Sequence, residues 1–510
     1  MNTKMLYRAG MLLVLAAIFC TAVVWSASLK DVPEEQGCLG IPFLTEEEDA
    51  IGNYHYHDYS EDLKFQQEHV AVDKASSVLY ISQRIDEHTA PEDLVGTLSI
   101  ALPGRKLFFA PDSRWEDLAG AVRDGYGFRL LVRDYRNTYM EYRVVFTTLP
   151  VMYLYGQFIY KNESLKNVMY GRSVICDPRQ LEGTAGGVYT NYIQWNIRGQ
   201  TSSTEPKKPW KVALKDKNGK SQDVDLFGLG ADDDWILNPM NMEDSNIREK
   251  LFMDLWNEMA AETDYNYPMS RGEYVEVLIN GEYCGLYLLQ RRIDEKYLQL
   301  TDAVLLKGNQ DLVYEIVTNR YDADKGTAAF DAFFFENDCA HLHLKNFVDV
   351  SLFLQLFSSM DNKSYKNMYY VFEGTGEDQS IRLIPWDTDL AMGAVWGGYG
   401  IGFVYDFEES VYTVVNRREI EDMQALHPSL NREITNRWLQ LRENLITEEH
   451  IYQLMDGYLE ELDASGAVRR DQDKWGLFYN GEDTIENLYR FVSERIWALD
   501  MMCEYLSEQQ

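Results

Sequence analysis

Two short segments in the second half of the chain place carboxylates and an amide at spacings that suit the binding of magnesium and phosphate. Asp361 and Asn367 lie in the first segment, and Asp387 and Asp389 lie in the second, each beside an apolar run that suits a strand. Moving a phosphoryl group requires a carboxylate near the attacking hydroxyl and hard oxygen ligands that hold a divalent cation against the phosphates. These four residues therefore predict a phosphoryl-transfer centre.

The order of these residues matches the order in ordinary protein kinases, with one difference in spacing. Those enzymes place an Asp, then an Asn, then the Asp of a D-F-G motif after a strand. Here the first spacing is Asp-x5-Asn, one residue longer than the usual D-x4-N, and Asp387-Thr388-Asp389 stands in the D-F-G position. Taken singly, Asp361 could end a helix and Asp387 could be an ordinary loop acid. Their shared order and the strand pair between them favour a joint function.

A cationic segment upstream could supply the positive charge that phosphates need. Residues 195–215 contain a predicted strand, a loop rich in glycine and hydroxyl residues, and a second strand that carries lysines. Such a loop offers backbone N–H groups and hydroxyls to phosphates, while Lys or Arg adds charge. The segment has neither G-x-x-x-x-G-K-[ST] nor G-x-G-x-x-G, which excludes a Walker loop and an ordinary kinase glycine loop. A basic hairpin on an acidic protein is the alternative.

The elements that must position these residues are β-rich first and helical last. Short alternating apolar segments between residues 70 and 147, separated by turn residues, predict a small β-sandwich-like module. Strands dominate from 150 to 330, and Asn280-Gly281 between two apolar runs predicts a hairpin. One helix interrupts these strands after Asp244, and helices predominate beyond residue 340. This order predicts an α+β fold.

The N-terminus has the pattern of a membrane signal. Lys4 and Arg8 precede an uncharged apolar run over residues 9–25, which is just long enough to cross the hydrocarbon core of a bilayer. We predict a signal-anchor over residues 1–28 that leaves the bulk of the chain extracytoplasmic. A cleaved signal followed by secretion is the alternative. An acidic linker over residues 29–69 is predicted to lead to the first module.

Composition limits the classes of partner and of chemistry. The formal net charge is −34, and nucleic-acid-binding proteins need a basic surface, so we exclude nucleic acid as a partner. A charge of this size is commonly a solubility feature. The sequence has no G-x-S-x-G and no H-E-x-x-H, so neither a serine hydrolase nor a zinc protease is indicated.

Four blocks of sequence together resemble the signature of the spore-coat protein H (CotH) family of kinases. In the family's order they are Ile197-Arg198-Gly199 with P-K-K-P-W-K over 206–211, N-G-E-Y-x-G-L-Y over 280–287, D-N…K-N-x-Y over 361–369 and P-W-D-x-D over 385–389. The resemblance covers residues 148–505. It implies a divergent two-lobed protein-kinase-like fold, with a β-rich N-lobe and a helical C-lobe, in a bacterial protein that acts on a surface or spore-coat protein.

The resemblance also implies cofactors and residue roles. ATP and Mg²⁺ or Mn²⁺ would be the cofactors, and Ser or Thr hydroxyls of a protein substrate would be the acceptors. Asp361 would orient the acceptor hydroxyl. Asn367 and Asp387 would bind the metal, with Asp389 bridging or supporting them. The phosphate-side candidates are Arg198, Gly199, Lys208, Lys211 and Lys307.

Two positions bear on how the nucleotide would be held. After the hairpin the family often has an acid where this chain has Gln290, which would change the charge near the nucleotide. Arg248-Glu249 on the interrupting helix could provide a pairing of the Lys–Glu type found in kinases, but we expect an ordinary exposed pair on a helix surface instead.

Two other functions are open at this stage. One is a surface-binding scaffold with little catalysis, which an ATP-poor extracytoplasmic location would favour. The other is transfer of the nucleotidyl part of ATP from the same site, which the sequence does not separate from phosphoryl transfer. The retained Asp361, Asn367 and Asp387 favour phosphoryl transfer over the scaffold, because a scaffold has no physical need for three metal-competent groups.

Overall fold

The computed structural model describes residues 38–50, 52–55, 70–100, 104–134, 138–158, 168–180, 187–199, 202–241, 243–308, 314–319, 331–336, 338–362, 366–374, 378–396, 401–403, 417–476 and 484–508. The predicted signal-anchor and part of the predicted linker lie outside these residues. Within the described ranges, no helix is both long enough and apolar enough to cross a membrane.

The N-terminal part of the fold is a single mixed sheet with two short helices. Its elements are α1 (Glu46–Ala50), β1 (Asn53–His55), β2 (Val70–Asp73), β3 (Val78–Ser82), β4 (Lys106–Phe109), α2 (Leu118–Arg123), β5 (Phe128–Arg133) and β6 (Thr138–Thr147). The strand order is β2-β3-β6-β5-β4, and β1 also pairs with β6. The described residues therefore form one sheet where a β-sandwich-like module was predicted, because alternation of apolar residues fits any half-buried strand.

Part of the predicted acidic linker belongs to this sheet module. Cys38, Leu39 and Ile41 are buried in its core, together with Phe109 and Phe146. The backbone N–H of Leu44 also donates to the carbonyl of Phe109 at 2.9 Å. These few apolar residues precede an acidic run, so the sequence suggested a linker and not part of a folded module.

A closed seven-stranded barrel follows the first sheet. Its strands are β7 (Val151–Phe158), β8 (Met169–Cys176), β9 (Val188–Ile197), β10 (Trp210–Lys215), β13 (Asp234–Asn238), β14 (Gly272–Ile279) and β15 (Glu282–Arg291), and the short strands β11 (Val224–Asp225) and β12 (Ala231–Asp232) pair with each other beside it. Side chains alternate along each strand, so Trp195, Val212 and Trp235 fill the interior. Their neighbours, such as Lys211 and Asp234, face outward.

The predicted hairpin is present and joins the barrel to the first sheet. Asn280 and Gly281 have φ values of 53° and 84°, and Ile279 pairs with Glu282 across the turn, as a type I′ hairpin requires. The carbonyl of Gly281 accepts from the backbone N–H of Lys74 at 2.8 Å. Tyr283 stacks on Tyr80 with ring centres 4.5 Å apart, so the two parts share a packed boundary.

A second sheet and a group of helices complete the fold. The sheet contains β16 (Ala303–Gly308), β17 (Tyr314–Asn319), β18 (Met368–Glu373) and β19 (Ser380–Pro385) in the order β17-β16-β18-β19, and β20 (Ala394–Trp396) pairs with β21 (Ile401–Phe403). The helices are α3 (Arg248–Ala261), α4 (Leu344–Phe357), α5 (Arg417–Leu426), α6 (Leu430–Asn444), α7 (Glu448–Ser465), α8 (Ala467–Trp475) and α9 (Ile485–Glu508). They share one large apolar core with the second sheet and with one side of the barrel.

The predicted α+β class is confirmed. The β-rich part closes into a barrel that the sequence did not predict, since closure depends on pairings between distant strands such as β13 with β15. The two-lobed kinase-like organisation stays a prediction.

Candidate functional site

The antiparallel pair β18–β19 brings Asn367 and Asp387 together. Met368 pairs with Pro385, and the backbone N–H of Trp386 donates to the carbonyl of Asn367 at 3.0 Å. Asn367 Nδ2 lies 3.4 Å from the Asp387 carbonyl oxygen. Both residues adopt left-handed backbone, with φ values of 53° and 57°. Asn and Asp tolerate this conformation better than most residues, and such strain concentrates at functional sites.

Asp361 reaches the same place from the end of α4. Ser358 ends that helix in a left-handed conformation (φ 49°), and a short 3-10 turn over Met360–Asn362 then carries Asp361. The Asp361 carboxylate accepts from Asn367 Nδ2 at 2.9 Å. Three of the predicted site residues, Asp361, Asn367 and Asp387, are thus connected by direct hydrogen bonds.

Asn362 holds this arrangement together and was not singled out in the sequence. Its buried Nδ2 donates to the carbonyl of Asn367 at 2.7 Å and to the carbonyl of Trp386 at 2.8 Å. Its Oδ1 accepts from the hydroxyl of Ser359. Asn362 directly follows Asp361 in the D-N…K-N-x-Y block, and its presence in that block was the only sequence signal for this role.

The N-terminus of α3 contacts the loop after β19. Glu249 accepts from the backbone N–H of Thr388 at 3.2 Å and from Gln290 Nε2 at 3.3 Å. Arg248 Nε donates to the carbonyl of Ala391 at 3.1 Å. Arg248 and Glu249 are both buried, so the expectation of an exposed helix pair is wrong. The spacing of apolar residues predicts helix α3. It does not show that Arg248 and Glu249, at the start of that helix, face the second sheet.

Two acids in this region have strongly perturbed proton affinity. Burial raises the pKa of Glu249 to about 8, with repulsion from Asp387 and Glu243 as further causes. Burial, followed by repulsion from Asp387, Glu249 and Asp361, raises the pKa of Asp389 well above its usual range. The carboxylates of Asp361, Asp387, Asp389 and Glu249 are thus near enough to influence one another's proton affinity. Clusters of perturbed acids are typical of functional sites.

Lys307 and Arg198 bring positive charge to the acids. Lys307 lies at the end of β16, paired with Tyr369 of β18, and its Nζ is 5.5 Å from the ring centre of Trp386. Burial lowers the pKa of Lys307, and the positive charges of Arg198 and Arg292 lower it further, whereas Asp387 opposes the shift. Arg292 is therefore a further cation near Lys307, and no motif in the sequence distinguishes it from other arginines.

The other phosphate-side candidates lie in different surroundings. Lys208 Nζ donates to the carbonyls of Ser203 and Thr204 at 3.1 and 3.3 Å, within its own loop. Lys211 Nζ lies 2.8 Å from Asp234 Oδ2. The structure thus pairs Lys211 with an acid and does not place Lys208 in contact with the clustered acids.

Gly199 and Lys207 shape the loop between β9 and β10. Gly199 has a φ of 83°, and a Cβ there would lie 2.2 Å from the hydroxyl oxygen of Ser202, so the turn requires glycine. The buried Lys207 Nζ donates to Asp471 Oδ2 at 2.9 Å. Asp471 also accepts from the backbone N–H of Leu286 at 2.9 Å. The first lysine of the P-K-K block therefore fixes the loop to α8.

A polar concavity of ≈ 240 Å³ opens on the outer face of the barrel. Its lining residues are Gln194, Asn196, Lys211, Ala213, Lys215, Ser221, Asp233 and Asp234. Asp234 also accepts from Arg292 Nη1 at 3.1 Å. Arg292 in turn connects the concavity to the cations around Lys307.

The chemistry of the acidic cluster fits a divalent cation. Asp387, Asp389, Glu249 and Asn367 all offer hard oxygen donors. The pKa values of Glu249 and Asp389 are raised mainly by burial and then by repulsion from neighbouring carboxylates, and a cation would offset that repulsion. Gln290 Oε1 is also buried beside Glu249 with no hydrogen-bond partner among the described residues. A site with more oxygen atoms than hydrogen-bond donors to satisfy them suits a hard cation.

A tighter group of acids lies elsewhere. Among the described residues, Asp223, Asp232 and Asp233 have carboxylate oxygens within 4.8 Å of one another. Asp232 lies 2.6 Å from Arg291 Nη2, and Asp223 pairs with Lys296. Neighbouring cations therefore neutralise this group, which we interpret as an ion-pair network that extends from the surface to the buried Asp232.

Comparison with known protein families gives a match over most of the chain's C-terminal part. A sequence model of a family described as CotH kinase protein matches residues 195–499, which is more than half of the 510 residues. The matched region begins in β9 and contains all four blocks that carry the resemblance. None of the curated proteins compared with the chain matches it.

Proposed function

We propose that this chain, which belongs to the CotH kinase protein family, is an ATP- and divalent-metal-dependent phosphotransferase that acts on Ser or Thr hydroxyls of a surface or coat protein. The observation that carries the proposal is the direct contact among Asp361, Asn367 and Asp387, with Lys307 beside them. Phosphoryl transfer depends mainly on positioning and on charge stabilisation, and these residues supply both.

Each group has a role that follows from its chemistry. Asp361 is the carboxylate that receives the proton of the acceptor hydroxyl, because Asn367 orients one of its oxygens. Asn367 and Asp387 would hold the metal, with Asp389 and Glu249 supporting them. A bound divalent cation would neutralise the charge of the phosphates.

The positive charges near Asp387 would bind the nucleotide. Lys307 and Arg198 would contact phosphates, since the charges of Arg198 and Asp387 both affect the pKa of Lys307 and that of the neighbouring Tyr369. Lys211 and Asp234 line the concavity on the barrel, which would accommodate a further part of the nucleotide. Tyr369 and Trp386 provide an apolar wall beside Lys307.

We also propose that the apolar run over residues 9–25 anchors the protein in a membrane and leaves the rest extracytoplasmic. The charged residues Lys4 and Arg8 before that run support this orientation. Removal of the run by cleavage would instead give a secreted enzyme. A protein substrate at the cell surface suits either location.

The proposal is tested by incubating the full-length chain with ATP, Mg²⁺ or Mn²⁺ and candidate proteins, and by measuring intact masses. We expect a gain of one phosphate on the acceptor that is lost in D361N and D387N. A folded protein that binds no nucleotide would contradict the proposal and favour a scaffold. A mass gain of a nucleotidyl group would show that another part of ATP is transferred.

A further inference from the structure

Four neighbouring strands of the barrel carry no acid, although the chain as a whole is strongly acidic. β7, β8, β9 and β10 pair in that order. They contain three cations, Arg172, Lys211 and Lys215, and no Asp or Glu, whereas the chain has 82 acids. Salt limits the reach of exposed charges to about 8 Å under physiological conditions. A ligand at these strands therefore meets their local positive charge and not the net charge of −34.

Arg172 stands between two tyrosines on the outer side of these strands. The register places Tyr155, Arg172 and Tyr192 directly opposite one another on β7, β8 and β9. Arg172 Nη2 donates to the hydroxyl of Tyr192 at 2.9 Å, and the guanidinium carbon is 4.6 Å from the centre of the Tyr192 ring. Among the described residues, no carboxylate forms an ion pair with Arg172. Its positive charge is therefore available to a ligand.

A second row of side chains lies beside the first. Tyr170 is directly opposite Gln157 and Gln194. It precedes Arg172 by two residues, so both rows lie on one side of the sheet. Tyr170 and Tyr192 are 38% and 40% exposed. We call the two rows the tyrosine face, with the members Tyr155, Gln157, Tyr170, Arg172, Tyr192 and Gln194.

The barrel interior holds the tyrosine face in place. Gly156 and Gly171 pair with each other across β7 and β8, on the inner side of these strands. A Cβ on Gly156 would lie 2.2 Å from the carbonyl oxygen of Tyr170 and 2.8 Å from the ring of Trp195. Trp195 is fully buried, so the strands are tightly packed beneath the face. A surface that is fixed before binding loses little conformational entropy when a ligand docks.

We propose that the tyrosine face binds a short acidic segment of a partner protein, with a Glu or Asp carboxylate on Arg172 and apolar or aromatic side chains against the tyrosines. Arg binds carboxylates through charge-assisted hydrogen bonds that are often bidentate. Tyr and Arg are also enriched at protein interfaces and among the residues that dominate binding energy there. This binding needs neither ATP nor a metal, so it is independent of the proposed function.

The dimensions of the acid-free strands favour a short segment over a long anionic polymer. Four adjacent strands span about 14 Å from the first axis to the last, and about four or five extended residues cover that distance. Asp233 and Asp234 lie in the concavity beyond Gln194 and pair with Lys215 and Lys211. A polymer with a negative charge on every repeat would extend onto these acids, whereas a short segment would not.

The test measures the binding of fluorescein-labelled peptides to the full-length chain by fluorescence anisotropy, without ATP or metal. The probe is a short peptide in which Glu and Tyr alternate, and in the matched peptide Gln replaces Glu. We expect the wild type to bind the Glu-Tyr peptide with a Kd below about 1 mM and at least about tenfold more tightly than the Gln-Tyr peptide. High salt should weaken this binding, because the charges are exposed.

Variants locate the binding on the tyrosine face. R172M removes the cation and Y170A removes a ring, and each should raise the Kd about tenfold, while R172K should keep part of the affinity. R490M and Y505A remove an exposed Arg and an exposed Tyr from α9 and should bind as the wild type does. Tm values close to that of the wild type in R172M and Y170A would show that their loss of binding is not loss of folding.

Four results would overturn the inference. They are the absence of binding of the Glu-Tyr peptide, equal affinity for the Glu-Tyr and Gln-Tyr peptides, and wild-type affinity in both R172M and Y170A. The fourth is binding of polygalacturonate, an anionic polysaccharide, by a chain that does not bind the Glu-Tyr peptide. That result would assign the face to a different class of partner.

Discussion

The backbone N–H of Thr388 donates a hydrogen bond of 3.2 Å to the carboxylate of Glu249, which lies 139 positions earlier in the chain. This contact joins the first turn of α3 to the loop that carries Asp387 and Asp389. It also brings the carboxylate of Glu249 near those of Asp387 and Asp389. Burial, with repulsion from Asp387 and Glu243, raises the pKa of Glu249, and we expect this to affect stability.

Glu249 should make the metal-free protein less stable as the pH rises. Its pKa is about 8 in the folded protein against 4.5 as an ordinary Glu, so the folded state holds the extra proton between these values and stability falls across that window. E249Q cannot ionise and keeps an oxygen for Thr388. We expect its Tm to vary less with pH than that of the wild type.

The matched control for this measurement is E262Q. Glu262 is an exposed acid that caps the other end of α3, so its loss should leave the pH dependence of Tm unchanged. An E249Q variant with the same pH dependence as the wild type would show that Glu249 does not carry the perturbed proton.

The left-handed backbone at Asn367 should make glycine the better replacement there. N367A and N367G both remove the amide that contacts Asp361. Alanine is additionally strained at a φ of 53°, whereas glycine is not. We expect N367G to be about 1 kcal/mol more stable than N367A in urea unfolding. Equal stabilities of N367A and N367G would mean that the backbone relaxes at this position. Both variants should lose phosphate transfer, because both lack the Asn367 amide.

Lys307 and Lys208 should differ in their effect on ATP binding. Lys307 lies close enough to Asp387 and Arg198 for both charges to affect its pKa, whereas the Lys208 ammonium is bound by carbonyls of its own loop. We expect K307M to weaken ATP binding by about tenfold or more and K208M by less than about threefold. Calorimetric titration with ATP and Mg²⁺ measures both, and the reverse order would contradict the assignment.

The buried pair of Lys207 and Asp471 should be important for folding. K207M leaves the Asp471 carboxylate buried with no cation, and breaking a buried pair in this way costs about 3–5 kcal/mol. K217M removes a lysine from an exposed turn and should change the free energy of unfolding by less than about 0.5 kcal/mol. A K207M protein as stable as K217M would show that the pair adds nothing to stability.

The sequence predicts the centre of the site well because that centre is local. Asn367 and Asp387 flank one pair of neighbouring strands, so the pairing of β18 with β19 brings them together once the strands form. The Asn280-Gly281 turn could also be predicted, because it joins two strands that are adjacent in the sequence. Each of these predictions uses only short-range geometry.

Other parts of the site depend on packing between distant elements. Glu249 reaches the loop after β19 only when α3 packs beside the second sheet, and Lys207 reaches Asp471 over 264 positions. Lys208 was a reasonable phosphate candidate by its place in the P-K-K block, but the local fold directs its ammonium back to the loop. The barrel and the single N-terminal sheet follow from strand pairings that apolar alternation does not specify.

The most direct test of the central claim is to follow each part of ATP separately. Wild-type protein, D361N and D387N are incubated with a protein acceptor, Mg²⁺ and ATP that is labelled at either the γ- or the α-phosphate. We predict that the wild type transfers only the γ-label and that both variants lose at least about 100-fold of this activity. Transfer of the α-label, or γ-transfer that is unchanged in D361N and D387N, would contradict the account.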